Sequence, residues 1–398
     1  MLAHRIPYPP HTGDKTRAFH IARYLARRHD LALAFLVDER SDLTGLPSLQ
    51  SIVPTVEFGM LWKPWSLLKG FAGLATGGPL SLPYFRSRSL RQRLARRLAE
   101  APYDLVYASS TPTAQYARLL GLPMIMDFVD VDSDKWRQYS ERSRPPLSWL
   151  YRVEGRRLQA SEGDIARWAS ICLLATASEE SLLRSFAPWA HTTVIPNGID
   201  LEYFRPIERT TAPAAVIFTG AMDYLPNIDA VRHFCDDILP RVRREVPDTR
   251  FYIVGLNPST EVRRLTKIPG VIVTGAVPDV RPYYARASVC VVPLRMGRGV
   301  QNKVLQAMAM GVPVVASSVA QRGLEASAGV DLHVEDEPTA FAARVVGLLG
   351  SPGERTSMGR QGRAFVESHH AWDASCSRLD AMLRDVVRPR GNALRPSA

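Results

Sequence analysis

Residues 291–318, VVPLRMGRGVQNKVLQAMAMGVPVVASS, decide how the rest of the chain is read. Val291 and Val292 read as a buried strand, and Gly297 and Gly299 punctuate the loop after it. Helical spacing follows, with Val304, Leu305 and Met308 on one face and the small Ala307 and Ala309 beside them. Gly311 suits the left-handed residue that closes a helix, and Pro313 stands where a helix cannot continue. Val314, Val315 and Ala316 then read as a second buried strand. The result is one βαβ unit. Its loop carries free backbone N–H groups and the positive end of a helix to the carboxyl edge of a sheet. Lys303 puts a cation in the first helical turn, where the dipole disfavours one unless an anion sits there. A phosphate explains Gly299, Asn302 and Lys303 together; an ordinary βα turn with a solvated lysine is the alternative.

Outward from this unit, glycines recur where strands end. The strand Val216–Thr219 runs into Gly220, Phe251–Val254 into Gly255, and Val271–Thr274 into Gly275. Near the start, His4–Pro10 reads as the end of a first strand, then HTGDK as a turn and Thr16–His29 as a helix. Almost nothing precedes that first strand, so it is short here or the true start lies upstream. Gly13 in the turn permits close approach by a ligand, or is a plain turn glycine. Leu31–Val37, Tyr103–Tyr107, Pro123–Val129, Ile171–Ala175 and Thr193–Ile195 read as further strands, with helices at Arg152–Ala169 and Trp372–Val387. Pro196-Asn197-Gly198 is a turn signal taken as the domain junction. In open α/β sheets ligands bind at the carboxyl edge, where these glycines gather.

The 398 residues suffice for two α/β domains with separate cores. Nothing approaches an 18-residue apolar run and no signal peptide precedes the first element. Cys172, Cys235, Cys290 and Cys376 show no paired spacing, which predicts reduced core thiols and a cytoplasmic protein. The net charge of +11 is uneven: residues 1–100 hold 15 Lys and Arg against 7 Asp and Glu. Phosphorylated substrates or anionic lipid fit such a chain better than nucleic acid, for which no motif is present. Residues 58–85 are rich in aromatic and apolar residues, including Trp62 and Trp65, and a helix from Ser87 to Glu100 follows. Its stripe of Leu90, Leu94 and Leu98 runs between six arginines from 86 to 97. Binding flat on the inner face of an anionic membrane and covering the sheet as a solvated helix are both open for it.

Asp130, Asp132 and Asp134 alternate like metal ligands, with Glu141 at the twelfth position of a calcium loop. Lys135 occupies the sixth position, which needs glycine, so an acidic loop at a strand end is the better account. No G-x-G-x-x-G follows any strand and no P-loop is present, which disfavours a dinucleotide dehydrogenase and a P-loop NTPase.

In series, RIPYPPHTGDKTR, IPNGIDLEYFRP, FTGAMDYLPN, GAVPDVRPYYARASVCVVPL and QNKVLQAMAMGVPVVAS resemble retaining GT-B glycosyltransferases of family 4. They also resemble the bacterial branch associated with exosortase-type exopolysaccharide systems. The resemblance implies an α/β GT-B fold, two Rossmann-like domains facing across a cleft. The first, residues 1–196, holds the acceptor and the second, 197–371, binds a nucleotide sugar. Residues 372–388 form a helix returning to the first domain, and 389–398 are a disordered tail. The implied reaction transfers a sugar from a UDP- or GDP-sugar to a glycan or lipid-linked acceptor, with retention, no obligatory metal and no cofactor. Lys303, Arg298 and Asp130 are the implied catalytic set. Gly13, Gly220, Gly255, Val277, Gly299, Val300, Gln301, Asn302 and Gln306 are expected around the donor.

The sequence departs from the family in three places. The Arg and Lys that hold the diphosphate after the first strand of the second domain are replaced in the stretch Ala221, Met222, Asp223 and Asn227. The two family glutamates are Arg298 and Gln306, and Val129 precedes Asp130 where a histidine or arginine is common. A non-catalytic nucleotide-sugar-binding subunit and a GT-B sugar-nucleotide epimerase are the alternative functions.

Overall fold

A computed structural model describes residues 1–10, 13–62, 77–208, 214–297 and 299–387. Contacts divide the chain into two units, Met1–Ile195 with the chain from Asp373 onward, and Pro196–Trp372. The first unit holds seven strands: β1 Leu2–Ala3, β2 Ala32–Val37, β3 Thr55–Met60, β4 Val106–Ser109, β5 Met124–Val129, β6 Ile171–Leu174 and β7 Thr192–Val194. They form one sheet in the order β3-β2-β1-β4-β5-β6-β7, every pair parallel. The second unit holds β8 Ala215–Thr219, β9 Arg250–Val254, β10 Val271–Gly275, β11 Val289–Val292, β12 Val314–Ala316 and β13 His333–Val334. Their order is β10-β9-β8-β11-β12-β13, again all parallel. This is the doubly wound order, which reverses direction between its first and fourth strands and opens a crevice there.

The central strands are covered on both faces, which is why they read as apolar runs. All of β8, β11 and β12 is buried, and Val304, Leu305, Ala307, Met308 and Ala309 pack the following helix onto the same core. In the first unit, Leu90 and Leu94 of helix Arg88–Glu100 pack into the core over β3 and β2. That stripe is therefore spent on the protein, and the helix turns exposed Arg88, Arg91 and Arg96 outward. Trp65 and the rest of 63–76, like the tail expected to be disordered, lie outside the described residues.

Three local expectations are corrected. The first strand is Leu2–Ala3, and 4–10 is loop, because Pro7, Pro9 and Pro10 have no N–H for a ladder. Ile6 alone continues the pattern, donating its N–H to Leu36 O at 3.1 Å. The next helix is Gly13–Ala26, so Gly13 opens a helix rather than a turn, with Asp14 favoured by the dipole in its first turn. Asp132 and Asp134 belong to the first turn of helix Asp132–Arg142, which acidic residues stabilise for the same reason. Two residues apart on a helix, they diverge, and no cluster of metal ligands occurs among the described residues. No helix among the described residues is long and apolar enough to cross a membrane.

Candidate functional site

The crevice of the second unit opens where β8 and β11 end side by side. Gly220 follows β8 at φ +151° and Gly255 follows β9 at φ +156°, both in backbone space that side chains avoid. A Cβ on Gly255 would lie 1.7 Å from Gly220 O, so the two turns approach only as glycines. Gly255 N–H donates to Gly275 O at 3.2 Å, joining the third strand end to the group. Val277, beyond it, packs against the core together with Val300.

After β11 the chain passes Gly297 and Gly299, the latter at φ +64°, and enters helix Asn302–Ala309 with Gln301 as its N-cap. Arg295 in this loop is anchored to Asp229, Nε to Oδ2 at 3.0 Å. Ser317 Oγ donates to Leu294 O at 2.6 Å, fixing the loop from the other side. Arg298 lies outside the described residues.

Lys303 leaves this helix inward and is 9% exposed. Its Nζ donates to Asn227 Oδ1 at 2.9 Å and reaches Gln301 Oε1 at 3.5 Å, and it lies 5.0 Å from the centre of the Phe218 ring. Asn227 is itself oriented, since its Nδ2 donates to Ala221 O at 2.8 Å and so keeps Oδ1 for the lysine. Among the described residues no carboxylate pairs with Lys303, and burial lowers its pKa to about 8. A buried ammonium held by neutral oxygens is costly unless an anion joins it.

Gln306, one turn further on, accepts through Oε1 from Tyr284 OH at 3.2 Å. Tyr284 is fully buried, 2.7 Å from Thr219 Oγ1 and 3.3 Å from the Lys303 carbonyl. Burial pushes the phenol well above its ordinary range, so it is a standing donor at neutral pH. Neither Thr219 nor Tyr284 stands out in the sequence as a site residue. Thr219 carries the strand-end signal, but Tyr284 sits in a six-residue helix whose sequence marks no polar role.

The first unit presents a separate edge. Gly13 is exposed at the start of its helix, and Asp130 follows β5, where Val129 takes φ +67°. His4, after β1, pairs with Asp14 at 3.2 Å. Burial raises the Asp132 carboxyl, against Lys135 and His4, which lower it. Behind this edge the wholly buried Arg17 donates to both Asp127 oxygens, at 2.8 and 3.0 Å, and to Ile195 O at 2.8 Å. Tyr107 OH donates to the same carboxylate. His4 and Arg17 are further residues that sequence reasoning left unassigned.

Two protein-family models match the chain in succession. The glycosyl transferase 4-like domain matches residues 12–198 and the glycosyl transferases group 1 domain matches 213–351. The chain is 28% identical over 225 residues to a D-inositol 3-phosphate glycosyltransferase of Segniliparus rotundus, covering 51% of this chain and 48% of that protein. It is 27% identical over 226 residues to a GDP-mannose-dependent α-(1-6)-phosphatidylinositol monomannoside mannosyltransferase of Mycolicibacterium smegmatis, covering 50% and 58%. The chain thus spans about half the length of the curated relatives it matches. Among solved structures, Anabaena Alr3699/HepE in complex with UDP and glucose superposes with a TM-score of 0.68 at 14% identity, over 96% of this chain and 98% of that one. A sucrose-phosphate synthase from Thermosynechococcus elongatus gives 0.70 at 17% identity, over 97% and 98%.

Proposed function

We propose, on the premise that this chain belongs to the GT-B glycosyltransferases, that it transfers a sugar from a nucleotide-diphosphate sugar to a glycan or lipid-linked acceptor. The donor binds the second unit and the acceptor the first, anomeric configuration is retained, and no metal or other cofactor is required. The setting is exopolysaccharide biosynthesis at the cytoplasmic face of the membrane, with a UDP- or GDP-sugar as donor.

The observation that carries this reading is Lys303, a buried cation held by Asn227 Oδ1 rather than by a carboxylate at the crevice of a doubly wound sheet. A diphosphate supplies the missing negative charge. As the bond from the anomeric carbon to the phosphate oxygen breaks, charge grows on that oxygen. Lys303 and the N–H groups that open helix Asn302–Ala309 stabilise it there. The acceptor hydroxyl oxygen forms the new bond on the same face of the sugar, and its proton passes to the departing phosphate. Gly220, Gly255 and Gly299 let the backbone come close to the donor, with Val277, Val300, Gln301 and Asn302 beside it. The Tyr284–Gln306 pair faces a ribose hydroxyl, and Arg298 adds positive charge to the phosphate loop. In the first unit, Gly13 and Asp130 serve the acceptor edge. The sequence relatives support this reading through their names, which are those of glycosyltransferases, one GDP-mannose-dependent.

The test is turnover. UDP-, GDP- and ADP-sugars are screened by thermal shift, and the stabilising donors are incubated with lipid-linked acceptors. Release of free nucleoside diphosphate with an α-linked product from an α-donor is expected. Donor binding with no turnover would instead indicate a non-catalytic subunit, and conversion of the donor sugar without acceptor an epimerase.

A further inference from the structure

The connection between helices Asp132–Arg142 and Leu147–Trp168 carries an apolar tip that the fold leaves uncovered. Its sequence is Arg144-Pro145-Pro146-Leu147-Ser148-Trp149. Leu147 is 51% exposed and Trp149 61%, while Ser148 between them is buried. We propose that this tip is a docking wedge for an anionic lipid bilayer, with Trp149 and Leu147 entering the headgroup region and the surrounding arginines pairing with lipid phosphates.

Charge and geometry favour that partner. From 142 to 153 the chain contains three arginines and no Asp or Glu. Trp149, Arg152 and Arg156 recur at helical spacing and share one face, and Arg144, Arg152 and Arg156 are exposed. The nearest acids are engaged within the protein. Glu141 accepts from Arg137 at 2.7 Å, and the buried Glu154 accepts from Ser81 N at 3.0 Å and Ser81 Oγ at 2.7 Å. An open groove of about 550 Å³ beside the wedge is lined by Arg152 and Arg156, by Arg137 with its paired acids Asp134 and Glu141, and by the apolar Leu182 and Phe186. That combination suits a phosphate headgroup with the start of an acyl chain.

The wedge stands on a rigid base. Trp136 and Tyr139 from one helix and Tyr151 from the other pack with ring centres 5.4 and 6.0 Å apart. Gly155 lets the helices meet closely, since a Cβ there would lie 3.1 Å from Ser133 O. One tryptophan and one leucine are too little for a stable protein interface, which buries about 800 Å² on each partner. They suffice at a bilayer surface, where tryptophan is a preferred anchor and each arginine adds electrostatic attraction to anionic lipid. The helix Arg88–Glu100, whose leucines pack inward, offers arginines without such an anchor.

This inference deepens the lipid-linked part of the proposed function, but it is measured without turnover. The full chain is sedimented with phosphatidylcholine vesicles with and without phosphatidylglycerol. Binding is expected only with phosphatidylglycerol, weakening as salt rises. The double variant Leu147→Ser, Trp149→Ser should lose binding by about tenfold or more. Arg144→Ala and Arg152→Ala should each lower it about fivefold. All four side chains are exposed, so unchanged melting temperatures serve as the folding control. Wild-type binding by the double variant overturns the proposal, as does loss of binding on Arg88→Ala, Arg91→Ala alone. A tip variant that keeps vesicle binding but changes the mass in light scattering marks a protein interface and also overturns it. Activity on a water-soluble acceptor should survive every tip variant. Vesicle binding without any turnover would sink the transferase reading and leave the wedge standing.

Discussion

The Nζ of Lys303 lies 2.9 Å from the side-chain oxygen of Asn227, a residue 76 positions earlier in the chain. The contact joins the helix after β11 to the helix after β8, the two strands that flank the crevice. It places a desolvated cation among neutral oxygens, and the predictions for the donor site follow from it.

Replacing Asn227 with Asp should weaken donor binding. The new carboxylate pairs with Lys303 and occupies the charge meant for phosphate, while losing the Nδ2 donor to Ala221 O. Donor KM is expected to rise by about tenfold, with the alkaline limb of kcat/KM moving upward because an adjacent anion raises the lysine pKa. An unchanged KM and pH profile would remove Asn227 from the donor site.

Stability against pH isolates the same lysine. Its folded pKa, about 8, lies below the ordinary 10.5, so the unfolded chain binds more protons between these values. Folding stability from this residue therefore rises with pH across that window and is poorest below it. Lys303→Met removes the effect. The stability difference between parent and Lys303→Met should change by about 3 kcal/mol between neutral pH and about pH 11, in favour of the parent at the alkaline end. Parallel denaturation curves at both ends contradict it.

Gln306→Glu should keep or raise transfer. An ionised acceptor makes hydrogen bonds roughly twice as strong as a neutral one, and Tyr284 OH is in place to donate to it. Gln306→Leu leaves the donor hydroxyl without its partner, while Tyr284 OH keeps Thr219 Oγ1 and the Lys303 carbonyl, and should raise donor KM by about tenfold. If Gln306→Leu behaves like the parent, the residue does not touch the donor.

Gly255→Ala tests the close approach of the two glycine turns. With a Cβ 1.7 Å from Gly220 O and φ at +156°, the backbone must shift. A loss of more than about 3 kcal/mol is expected in chemical denaturation. A loss below about 1 kcal/mol would mean the turns separate freely.

Much of this framework is legible in the sequence. Residues 291–318 carry strand, loop, helix and strand in one stretch, because β11 and β12 are buried on both faces and their apolar runs have no polar interruption. Lys303 and Gln306 stand out by position and family pattern. The edge strand β3, TVEFGM, escapes because Glu57 and Gly59 break its pattern and only Gly59 is buried. The helix Asp132–Arg142 escapes because its acidic first turn mimics a ligand loop. The Thr219–Tyr284–Gln306 contact joins residues 65 and 22 positions apart, and no local periodicity encodes such a meeting. Asn227 reads as the absence of a family cation, whereas the structure makes it the partner of Lys303.

Calorimetric titration of UDP and GDP into the parent and Lys303→Ala, near pH 8 in two buffers of different ionisation enthalpy, tests the central claim most directly. Diphosphate bound beside Lys303 raises its pKa from about 8, so binding to the parent should take up protons. Lys303→Ala should abolish that uptake and weaken affinity by about 1.5–3 kcal/mol, the range for hydrogen bonds to charged groups. Equal affinity for the better nucleotide in both proteins, with the same proton balance, would contradict the placement of the donor diphosphate at this lysine.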